Sequence, residues 1–522
     1  MVGHLEPRSG SPRSLIPLAS EGRGSARADS HHMRRRSAAL LLLALVASAA
    51  LASAGANASR SPVPEIVGVQ TGAFSAVVRW HVEEPGRVVI ELGPDDRYGI
   101  WSPTTIVREA QTQKTTVSGL EPATTYRYRV LARWRNGMRA EARGSFRTDP
   151  WPGEVAATAT PTPADRSSTP DSPFVLPPKL PPGVAPPPAP GALPPGTPKV
   201  ESSAPLRING AAVFPRMVWR QCPTYYPTSI AAGINLFLGV SCDDEQEQLA
   251  RLAGRAMSTV DAATPGIAGP GLVGWHLPDE ADVSVGDPEK LPAPKESGKV
   301  TFLTLTDHFS AGAAPGPYGR DIYPGFFAKA DIIGFDTYPV EVRCSLEQID
   351  NVFWMQRELI GLTGGKPTFQ WIEAGPMEHC RSNLDPTPDV VRAETWLAIA
   401  GGARGIGYFP DYWAEDIRTE VRHSNREIVA LAPALLAPVA KSSWSLQSPV
   451  RVAARRYNGA TYVIAVNTST APATASFGVQ GLGGRKLRVF RDGRVVAPLG
   501  DFVSDKLPGL GVAVYIAPPV GW

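Results

Sequence analysis

The sequence predicts a multidomain protein in which a (β/α)8 barrel is flanked by two β-sandwiches. Three observations lead to this fold class. The chain has 522 residues, which corresponds to about three domains. Residues 206–440 contain eight short apolar runs that alternate with helical segments, the pattern of a parallel barrel. On both sides of this region, short segments of alternating polarity predict antiparallel strands.

The N-terminus predicts an export signal. Three arginines at 34–36 precede an apolar run at 38–51, which ends in small residues with Ala-x-Ala cleavage patterns. The run scarcely reaches the roughly 18–20 residues that a membrane span needs, which favours a signal peptide at 33–58 over a membrane anchor. We therefore expect a secreted, extracellular protein, with residues 1–32 as an over-extended and disordered N-terminus.

Charge and cysteine content exclude several function classes. The chain has 52 basic and 49 acidic residues, a formal net charge of +3, and removal of residues 1–54 leaves 45 and 46. A nearly neutral chain gives no electrostatic reason to bind nucleic acid. The four cysteines have no Cys-x-x-Cys or Cys/His ligand spacing, so we expect no metal and no cofactor.

Residues 62–149 form the first predicted sandwich, with turn signals about ten residues apart. Trp80 lies in the second predicted strand, where a core tryptophan is expected. Leu120 and Tyr126, in GLEPATTYRYRV, have the spacing of a tyrosine corner. The segment resembles a fibronectin type III domain. This resemblance implies the fold of the segment but no catalytic activity. Its implied role is that of a spacer or a docking module.

Residues 150–205 predict an extended linker. This segment contains 18 prolines in 56 residues, so it can neither donate enough backbone hydrogen bonds nor bury enough apolar surface to fold. A ligand role for its PxxP motifs is the alternative to a stiff stalk, which we favour for an exported protein. The linker predicts that the first sandwich and the barrel move independently.

The barrel prediction for 206–440 rests on continuous apolar runs with polar C-terminal ends. Only about ten residues join the third and fourth runs, so we expect at least one degenerate outer helix. Residues 441–522 return to alternating strands and predict a second sandwich, with strands in VRVAARRYN, TYVIAVNTS, ATASFGV, KLRVFRD and AVYIAPP. No proline linker precedes it, so its interface with the barrel should be fixed. The eight runs are 216–221, 234–240, 257–261, 272–277, 300–306, 331–338, 367–374 and 403–410.

Polar residues at the C-terminal ends of barrel strands build the active site of such a fold. Here carboxylates predominate and aromatic residues flank them. Glycoside hydrolysis needs this combination, because one carboxyl group protonates the leaving oxygen while another attacks or assists at the anomeric carbon. The strand-end residues are Arg220, Gln221, Asp279, Glu280, Asp307, His308, Asp336, Tyr338, Glu373, Tyr408, Asp411 and Trp413.

Two glutamates carry a resemblance to a known superfamily. Glu280, in GWHLPDEAD, follows the fourth predicted strand, and Glu373, in FQWIEAG, ends the seventh. This arrangement resembles the clan A glycoside hydrolases, TIM-barrel enzymes with an acid/base glutamate after strand four and a nucleophilic glutamate after strand seven. The resemblance implies that Glu280 is the acid/base and Glu373 the nucleophile of a retaining glycosidase. It also implies that Tyr338 lies near the nucleophile and that Trp413 stacks on a sugar.

The substrate implied by this resemblance is a β-linked polysaccharide or oligosaccharide, such as a cell-surface or cell-wall glycan, and we expect a monomer. Asp279 departs from the clan, which usually has asparagine before the acid/base. An asparagine amide can donate to a sugar 2-hydroxyl, whereas an ionised aspartate can only accept. This departure motivates the alternative, a non-catalytic extracellular protein that binds glycan or another protein. A metallophosphatase would need a dense His/Asp cluster, which the sequence lacks.

Several candidate substrate-binding residues have a structural alternative. Arg220 either orients the nucleophile or pairs with a nearby acid, and Asp336 either serves the chemistry or caps a helix. His308 and His276 are expected to be supporting or core histidines rather than ligands, and Asp411 completes the candidate set. For the cysteines, adjacency of strands one and two, and of six and seven, predicts two disulfides near the catalytic face. The predicted pairs are Cys222–Cys242 and Cys344–Cys380.

Overall fold

The computed structural model describes most of residues 62–150 and 203–521 of the chain. The expected leader, signal peptide and nearly all of the proline-rich linker lie outside the described residues. No helix in the described part is long and apolar enough to cross a membrane. The shorter gaps fall at 73–74, 97, 119, 209, 243, 293–298, 314–315, 378–379, 381–384, 411–412 and 446.

The centre of the protein is a closed barrel of eight parallel strands in chain order, with the last strand paired to the first. All eight predicted strands are confirmed. Continuous apolar runs form these strands because each is covered by side chains on both faces. The barrel strands one to eight are Arg216–Gln221, Leu236–Val240, Met257–Asp261, Leu272–His276, Val300–Leu305, Ile332–Asp336, Thr368–Glu373 and Gly405–Phe409.

Aromatic side chains fill the barrel interior, and two glycines make room for them. A Cβ atom on Gly334 would lie 2.1 Å from the Phe369 ring, and one on Gly407 would lie 2.1 Å from the Trp371 ring. Trp371 also packs edge-on against Trp219, with ring centroids 5.6 Å apart. The interior is therefore a packed core, and any reactive groups must lie at the ends of the strands.

Helices surround the barrel, except between strands three and four, where the described residues 262–271 contain none. This absence confirms the degenerate outer helix. The best-defined helix, Pro388–Gly401, begins where the Thr387 side chain accepts from the Val390 N–H and ends at Gly402, which has φ 111°. The α-helices are Tyr226–Ala231, Glu245–Leu252, Ala281–Ser284, Tyr323–Ala328, Asn351–Leu362, Pro388–Gly401 and Glu415–Leu435, and the 3₁₀ turns are Pro223–Tyr225, Pro288–Lys290, Asp307–Phe309 and Leu346–Gln348.

Two antiparallel sheets precede the barrel and enclose their own core. Trp80 is fully buried and donates to the Thr115 hydroxyl at 3.0 Å. The Tyr126 hydroxyl accepts from the Glu121 N–H at 3.0 Å, the bond expected of a tyrosine corner. The fibronectin type III assignment stays a prediction. The strands are Glu65–Thr71, Ser75–Val82 and Gln111–Ser118 in one sheet, and Gly86–Gly93, Ile100–Trp101, Thr105–Val107, Thr125–Trp134 and Arg139–Arg147 in the other.

Two further antiparallel sheets follow the barrel, and a short hairpin precedes its first strand. The sequence missed the strand Phe502–Leu507, which pairs with Ala473–Val479. Arg451, on the strand Val450–Tyr457, donates to both oxygens of Asp350 at 2.6 Å, so the second sandwich is joined directly to the barrel region. The remaining strands are Leu206–Ile208 and Ala211–Val213 in the hairpin, with Val439–Ala440, Ser442–Trp444, Ala460–Asn467, Leu487–Val489, Val495–Val496 and Val512–Ala517 in the C-terminal sheets.

The first sandwich is packed against the rest of the protein, so the expectation that it moves independently is wrong. Glu91 is fully buried and pairs both with Arg129 of its own sheet, at 2.6 Å, and with Arg488 of the C-terminal sheet. The Asn458 side chain donates to the Trp101 carbonyl at 2.7 Å. A buried carboxylate that lost an arginine partner would be strongly destabilising, which opposes separation of the sandwiches.

Candidate active site

Glu280 lies immediately beyond barrel strand four, at the C-terminal face of the barrel. It precedes the short helix Ala281–Ser284 and has a left-handed backbone, with φ 44° and ψ 49°. The Ser284 hydroxyl donates to the Asp279 carbonyl at 2.6 Å and helps to hold this turn. Left-handed conformations are unfavourable for residues other than glycine and are often found at functional sites. The turn directs Glu280 towards the neighbouring strand ends.

Glu280 and Asp336, the last residue of barrel strand six, form a carboxyl pair. Their side chains interact directly, which raises the pKa of Asp336 and lowers that of Glu280, so Asp336 holds a proton of the pair more firmly than Glu280 does. Burial and the negative charge of Asp279 raise the pKa of Glu280 to about 7. Burial and the charge of Glu280 raise the pKa of Asp336 well above its ordinary value. The pair therefore retains a transferable proton near neutral pH.

Asp279 and Arg220 line a cavity beside this pair. Burial raises the pKa of Asp279 to about 6, against the opposing effect of the Arg220 guanidinium. Arg220, at the end of strand one, also has a left-handed backbone, with φ 41°. The cavity has a volume of about 180 Å³ and lies at the ends of strands one to four. Its other lining residues are Trp219, Gly239, Val240, Glu245, Asp261, His276, Leu277 and Pro278.

His276 is part of the cavity wall and is uncharged at neutral pH. Burial lowers its pKa to about 4, despite the attraction of Asp261. Its Nδ1 atom lies 3.1 Å from the Thr259 hydroxyl, and its ring packs edge-on against Trp219. These contacts agree with the expectation of a core or supporting histidine.

Glu373, at the end of strand seven, lies in a closed environment. It has no exposed surface, and its Oε1 and Oε2 atoms accept from the backbone N–H groups of Val340 at 2.9 Å and Glu341 at 2.8 Å. The carboxyl group of Glu394, on the helix Pro388–Gly401, interacts with it, and both Glu394 oxygens are buried without another hydrogen-bond partner among the described residues. Burial and the charge of Glu373 raise the pKa of Glu394 well above its ordinary value. Burial raises the pKa of Glu373 as well, but the interaction with Glu394 and the two amides oppose that rise, so Glu394 is the protonated partner.

Tyr338 lies between the two carboxyl pairs. Its ring is buried and stacks on Phe409, with centroids 6.0 Å apart. Burial raises the pKa of its hydroxyl well above the ordinary value, and the charges of Asp336, Asp279, Glu280 and Glu373 raise it further. Tyr338 therefore stays neutral and interacts with acidic residues of both pairs, while its role beside a nucleophile stays a prediction.

His308 and Asp307 lie in the 3₁₀ turn after strand five and are both buried. Asp307 pairs with Arg343 and accepts from the Thr337 hydroxyl at 2.8 Å. The His308 Nδ1 atom has no hydrogen-bond partner among the described residues. A nearby network supports the turn of Glu280, because Asp282 accepts from the Thr306 N–H at 2.9 Å and from the Tyr323 hydroxyl at 2.6 Å. His308 is thus buried near Asp282, and its supporting role stays a prediction.

Trp413 lies away from the cluster of carboxyl groups. It is buried, and its indole N–H donates to the Ser229 hydroxyl at 3.0 Å. Its ring packs edge-on near Tyr408, in the core between the barrel and the outer helices. A buried ring with a satisfied N–H offers no open face to a sugar, so its placement differs from that of a stacking residue. Asp411 lies outside the described residues.

Both predicted disulfides, Cys222–Cys242 and Cys344–Cys380, are confirmed. The second joins the segment after strand six, which carries the Val340 and Glu341 amides, to the segment after strand seven. It therefore supports the environment of Glu373. Among the residues that the structure describes, no group of three or more histidine, cysteine or acidic side chains is arranged to hold a metal ion.

Sequence reasoning missed Glu394, Asp261 and Glu245 as parts of the site. Glu394 had a detectable signal, because it is an acidic residue within the otherwise apolar stretch AETWLAIAGG. Asp261 ends a strand whose prediction was weak, so its position at the barrel mouth was not recognised. Glu245 lies in the first turn of an outer helix, where an acidic residue is expected for helix stability alone.

No protein-family model and no curated protein match the chain. Solved structures do resemble it. A GH30 endoxylanase from Clostridium papyrosolvens is 10% identical, with 61% of this chain and 98% of that chain covered and a TM-score of 0.35. A putative α-galactosidase/melibiase from Bacteroides fragilis is also 10% identical, with 87% and 98% covered and a TM-score of 0.42. Similarity at this level carries no argument about activity, so the proposals below rest on the residues of the barrel itself.

Proposed function

We propose that this protein is a glycoside hydrolase in which Glu280 is the general acid. The observation that carries this proposal is the carboxyl pair of Glu280 and Asp336 at the C-terminal face of the barrel, beside a cavity lined by Asp279, Arg220 and Trp219. A carboxyl group that keeps its proton near pH 7 is the group needed to protonate a glycosidic oxygen. An aromatic wall beside it offers an apolar surface to a sugar ring.

In the proposed reaction the proton of Glu280 moves to the glycosidic oxygen as the bond from that oxygen to the anomeric carbon breaks. The bonding electrons leave with the oxygen. The Glu373 carboxylate attacks the anomeric carbon and forms an ester, which retains the configuration after a second displacement. In that second step the Glu280 carboxylate takes a proton from water, and the water oxygen replaces Glu373. Tyr338, near both groups, would hold the sugar between them.

The role of Glu373 requires a movement of the segment after strand six. Both of its oxygens accept backbone N–H bonds and the side chain is fully enclosed, so a nucleophilic attack needs at least the Val340 or the Glu341 amide to withdraw. Glu394 would then keep its proton and position Glu373. A mechanism-based 2-fluoroglycoside inhibitor tests this role, because the covalent sugar should be found by peptide mass analysis on Glu373.

The proposed substrate is a polysaccharide or oligosaccharide outside the cell. Two disulfides support this location, since such bonds persist in oxidising compartments. A panel of neutral β-linked polysaccharides and aryl glycosides would identify the sugar.

The decisive experiment compares wild type with Glu280→Gln on that panel. We expect kcat/KM to fall by about 10²–10⁴-fold on unactivated glycans, and less on aryl glycosides, whose leaving groups need little protonation. Glu289→Gln is the matched control, because Glu289 is exposed and, among the described residues, pairs with Lys329 alone. Wild-type cleavage that Glu280→Gln leaves unchanged would overturn the assignment.

A non-catalytic glycan-binding protein is the second candidate. The enclosure of Glu373 favours it, because a fully buried carboxylate with both oxygens bonded is arranged like a structural group. Binding of a glycan without turnover across the whole panel would support this candidate over the enzyme.

A further inference from the structure

A second and larger cavity lies at the opposite end of the barrel. Its volume is about 510 Å³, and it is enclosed by three parts of the chain. One side comes from loops of the first sandwich, the next from the N-terminal ends of barrel strands one to three, and the third from the helix Glu415–Leu435 with Arg491 of the C-terminal region. This volume lies within the range of cavities that bind small organic ligands.

Four arginines line this cavity, against only two carboxylates, Asp95 and Glu121. Arg216 is 2% exposed and pairs with Glu121 across the boundary between the first sandwich and the barrel. Arg491 lies 3.8 Å from Asp95 and 3.3 Å from Glu427. Two of the four positive charges are therefore already compensated.

The other two arginines, Arg255 and Arg426, have no side-chain hydrogen bond or ion pair with any residue that the structure describes. Arg255 is half-buried just before barrel strand three, and Arg426 is exposed on the helix Glu415–Leu435. Arg255 lines the cavity from the ends of the barrel strands, and Arg426 lines it from the helix. The cavity therefore contains two guanidinium groups without a carboxylate partner. A guanidinium group binds carboxylate and phosphate oxygens well, because its N–H donors lie in one plane.

Apolar side chains form much of the remaining wall. They come from Pro122, Ile234, Met257 and Val429. The polar Asn235 side chain is already used, because it accepts from the Arg216 N–H at 2.7 Å. The wall therefore favours a ligand with a carbon body over a bare inorganic ion.

We propose that this cavity binds a small organic anion, of about the size of a sugar and carrying a carboxylate or phosphate group, with Arg255 and Arg426 as its charge partners. The site is separate from the carboxyl pairs, because it lies at the N-terminal ends of the same barrel strands. Its walls belong to three parts of the chain, so a bound anion would stabilise their association and raise the unfolding temperature.

The experiment measures thermal unfolding and calorimetric binding of the full mature chain at constant ionic strength. The probes are glucuronate and glucose 6-phosphate, with glucose as the neutral control and inorganic phosphate as the bare ion. We expect at least one of the two sugar anions to raise the unfolding midpoint and glucose to leave it unchanged. Comparison of glucuronate with glucose 6-phosphate identifies which anionic group is preferred.

The double variant Arg255→Gln, Arg426→Gln should bind the preferred sugar anion at least about 10-fold more weakly, which corresponds to the loss of charge-assisted hydrogen bonds. Arg422→Gln is the matched control, because it removes the same charge one turn away on the same helix and does not line the cavity. If the double variant unfolds, Arg426→Gln alone, at the exposed position, replaces it.

Three results would overturn the proposal. They are no response to either sugar anion, equal binding by the double variant and wild type, and an affinity for inorganic phosphate that equals that for the sugar anions. None depends on glycosidase activity, so failure here is distinct from failure of the proposed function.

Discussion

The two carboxyl pairs of the barrel mouth, Glu280 with Asp336 and Glu373 with Glu394, lie in opposite environments. Glu280 and Asp336 are half-buried, lie beside a cavity, and are surrounded by further negative charge from Asp279. Glu373 is fully buried and is held by two backbone amides, with Glu394 as its protonated partner. The first environment favours a proton that can be transferred, and the second favours a fixed negative charge. The comparison shows that burial and nearby hydrogen-bond donors, rather than residue type, determine whether a glutamate acts as a proton donor or stays a carboxylate.

The largest expected effect concerns the bridge that holds the Glu373 environment. Replacing Cys344 and Cys380 with alanine should lower the free energy of unfolding by about 4 kcal/mol, because the bridge closes a loop of 36 residues. Trypsin should also cleave after Arg343 in the variant. Urea unfolding and limited proteolysis measure the two effects.

The variant without Cys222 and Cys242 is the control, because that bridge closes a shorter loop of 20 residues on the other side of the barrel mouth. We expect a loss of about 3 kcal/mol and no new cleavage at Arg343. Equal protection of Arg343 in both variants would show that the second bridge does not hold this segment.

The next effect distinguishes the two carboxyl pairs by stability. Glu373→Gln should lower the free energy of unfolding by about 2–3 kcal/mol, since the amide nitrogen would face a backbone N–H that loses its acceptor. Glu280→Gln should change it by less than about 1 kcal/mol, because Glu280 is only half-buried and its negative neighbours favour a neutral group. Urea unfolding of both variants at pH 7 is the measurement, and a larger loss for Glu280→Gln would contradict the comparison.

A smaller effect concerns the proton of Glu280. The charge of Asp279 raises the pKa of Glu280, so Asp279→Asn should lower it. If Glu280 acts as the acid, activity is lost as pH rises through this pKa, and the fall of kcat/KM should move to lower pH by about one unit. A pH–rate profile tests this expectation with Glu289→Gln as the control. If kcat/KM of the variant falls at the same pH as in wild type, or at a higher pH, the charge of Asp279 is not what raises the pKa of Glu280.

The smallest effect is the pH dependence of stability. Glu280, Asp279 and Glu394 have raised pKa values, so the folded state binds more protons than the unfolded state. Their contribution to stability is complete below the unfolded pKa values, near pH 4, and is lost as pH rises through the folded ones, which are about 6 for Asp279 and about 7 for Glu280. The free energy of unfolding should therefore fall between pH 5 and pH 8.

In the Glu394→Gln variant, the free energy of unfolding should change by about 1 kcal/mol less between pH 5 and pH 8. The reason is that the glutamine amide donates to Glu373 at every pH. Urea unfolding at pH 5 and pH 8 measures the difference. An unchanged or steeper dependence would mean that Glu394 does not carry the proton of the pair.

Much of this architecture could be predicted from local pattern. The eight apolar runs became the eight barrel strands, because a strand buried on both faces has a recognisable composition and length. Strand adjacency then predicted both disulfides, since neighbouring parallel strands end beside each other. The strand Phe502–Leu507 was missed because its FVSDKL sequence is largely polar and exposed.

The sequence by itself therefore determined the barrel, the strand ends on which Glu280, Asp336 and Glu373 lie, and the two disulfides. Only the tertiary structure decided which carboxyl groups share a proton, that Trp413 packs inward, and that Glu91 binds the first sandwich to the C-terminal sheet. The physical reason is the same in each case. The protonation state of a carboxyl group and the packing of an indole depend on burial and on partners that are tens to hundreds of residues away, which no local pattern encodes.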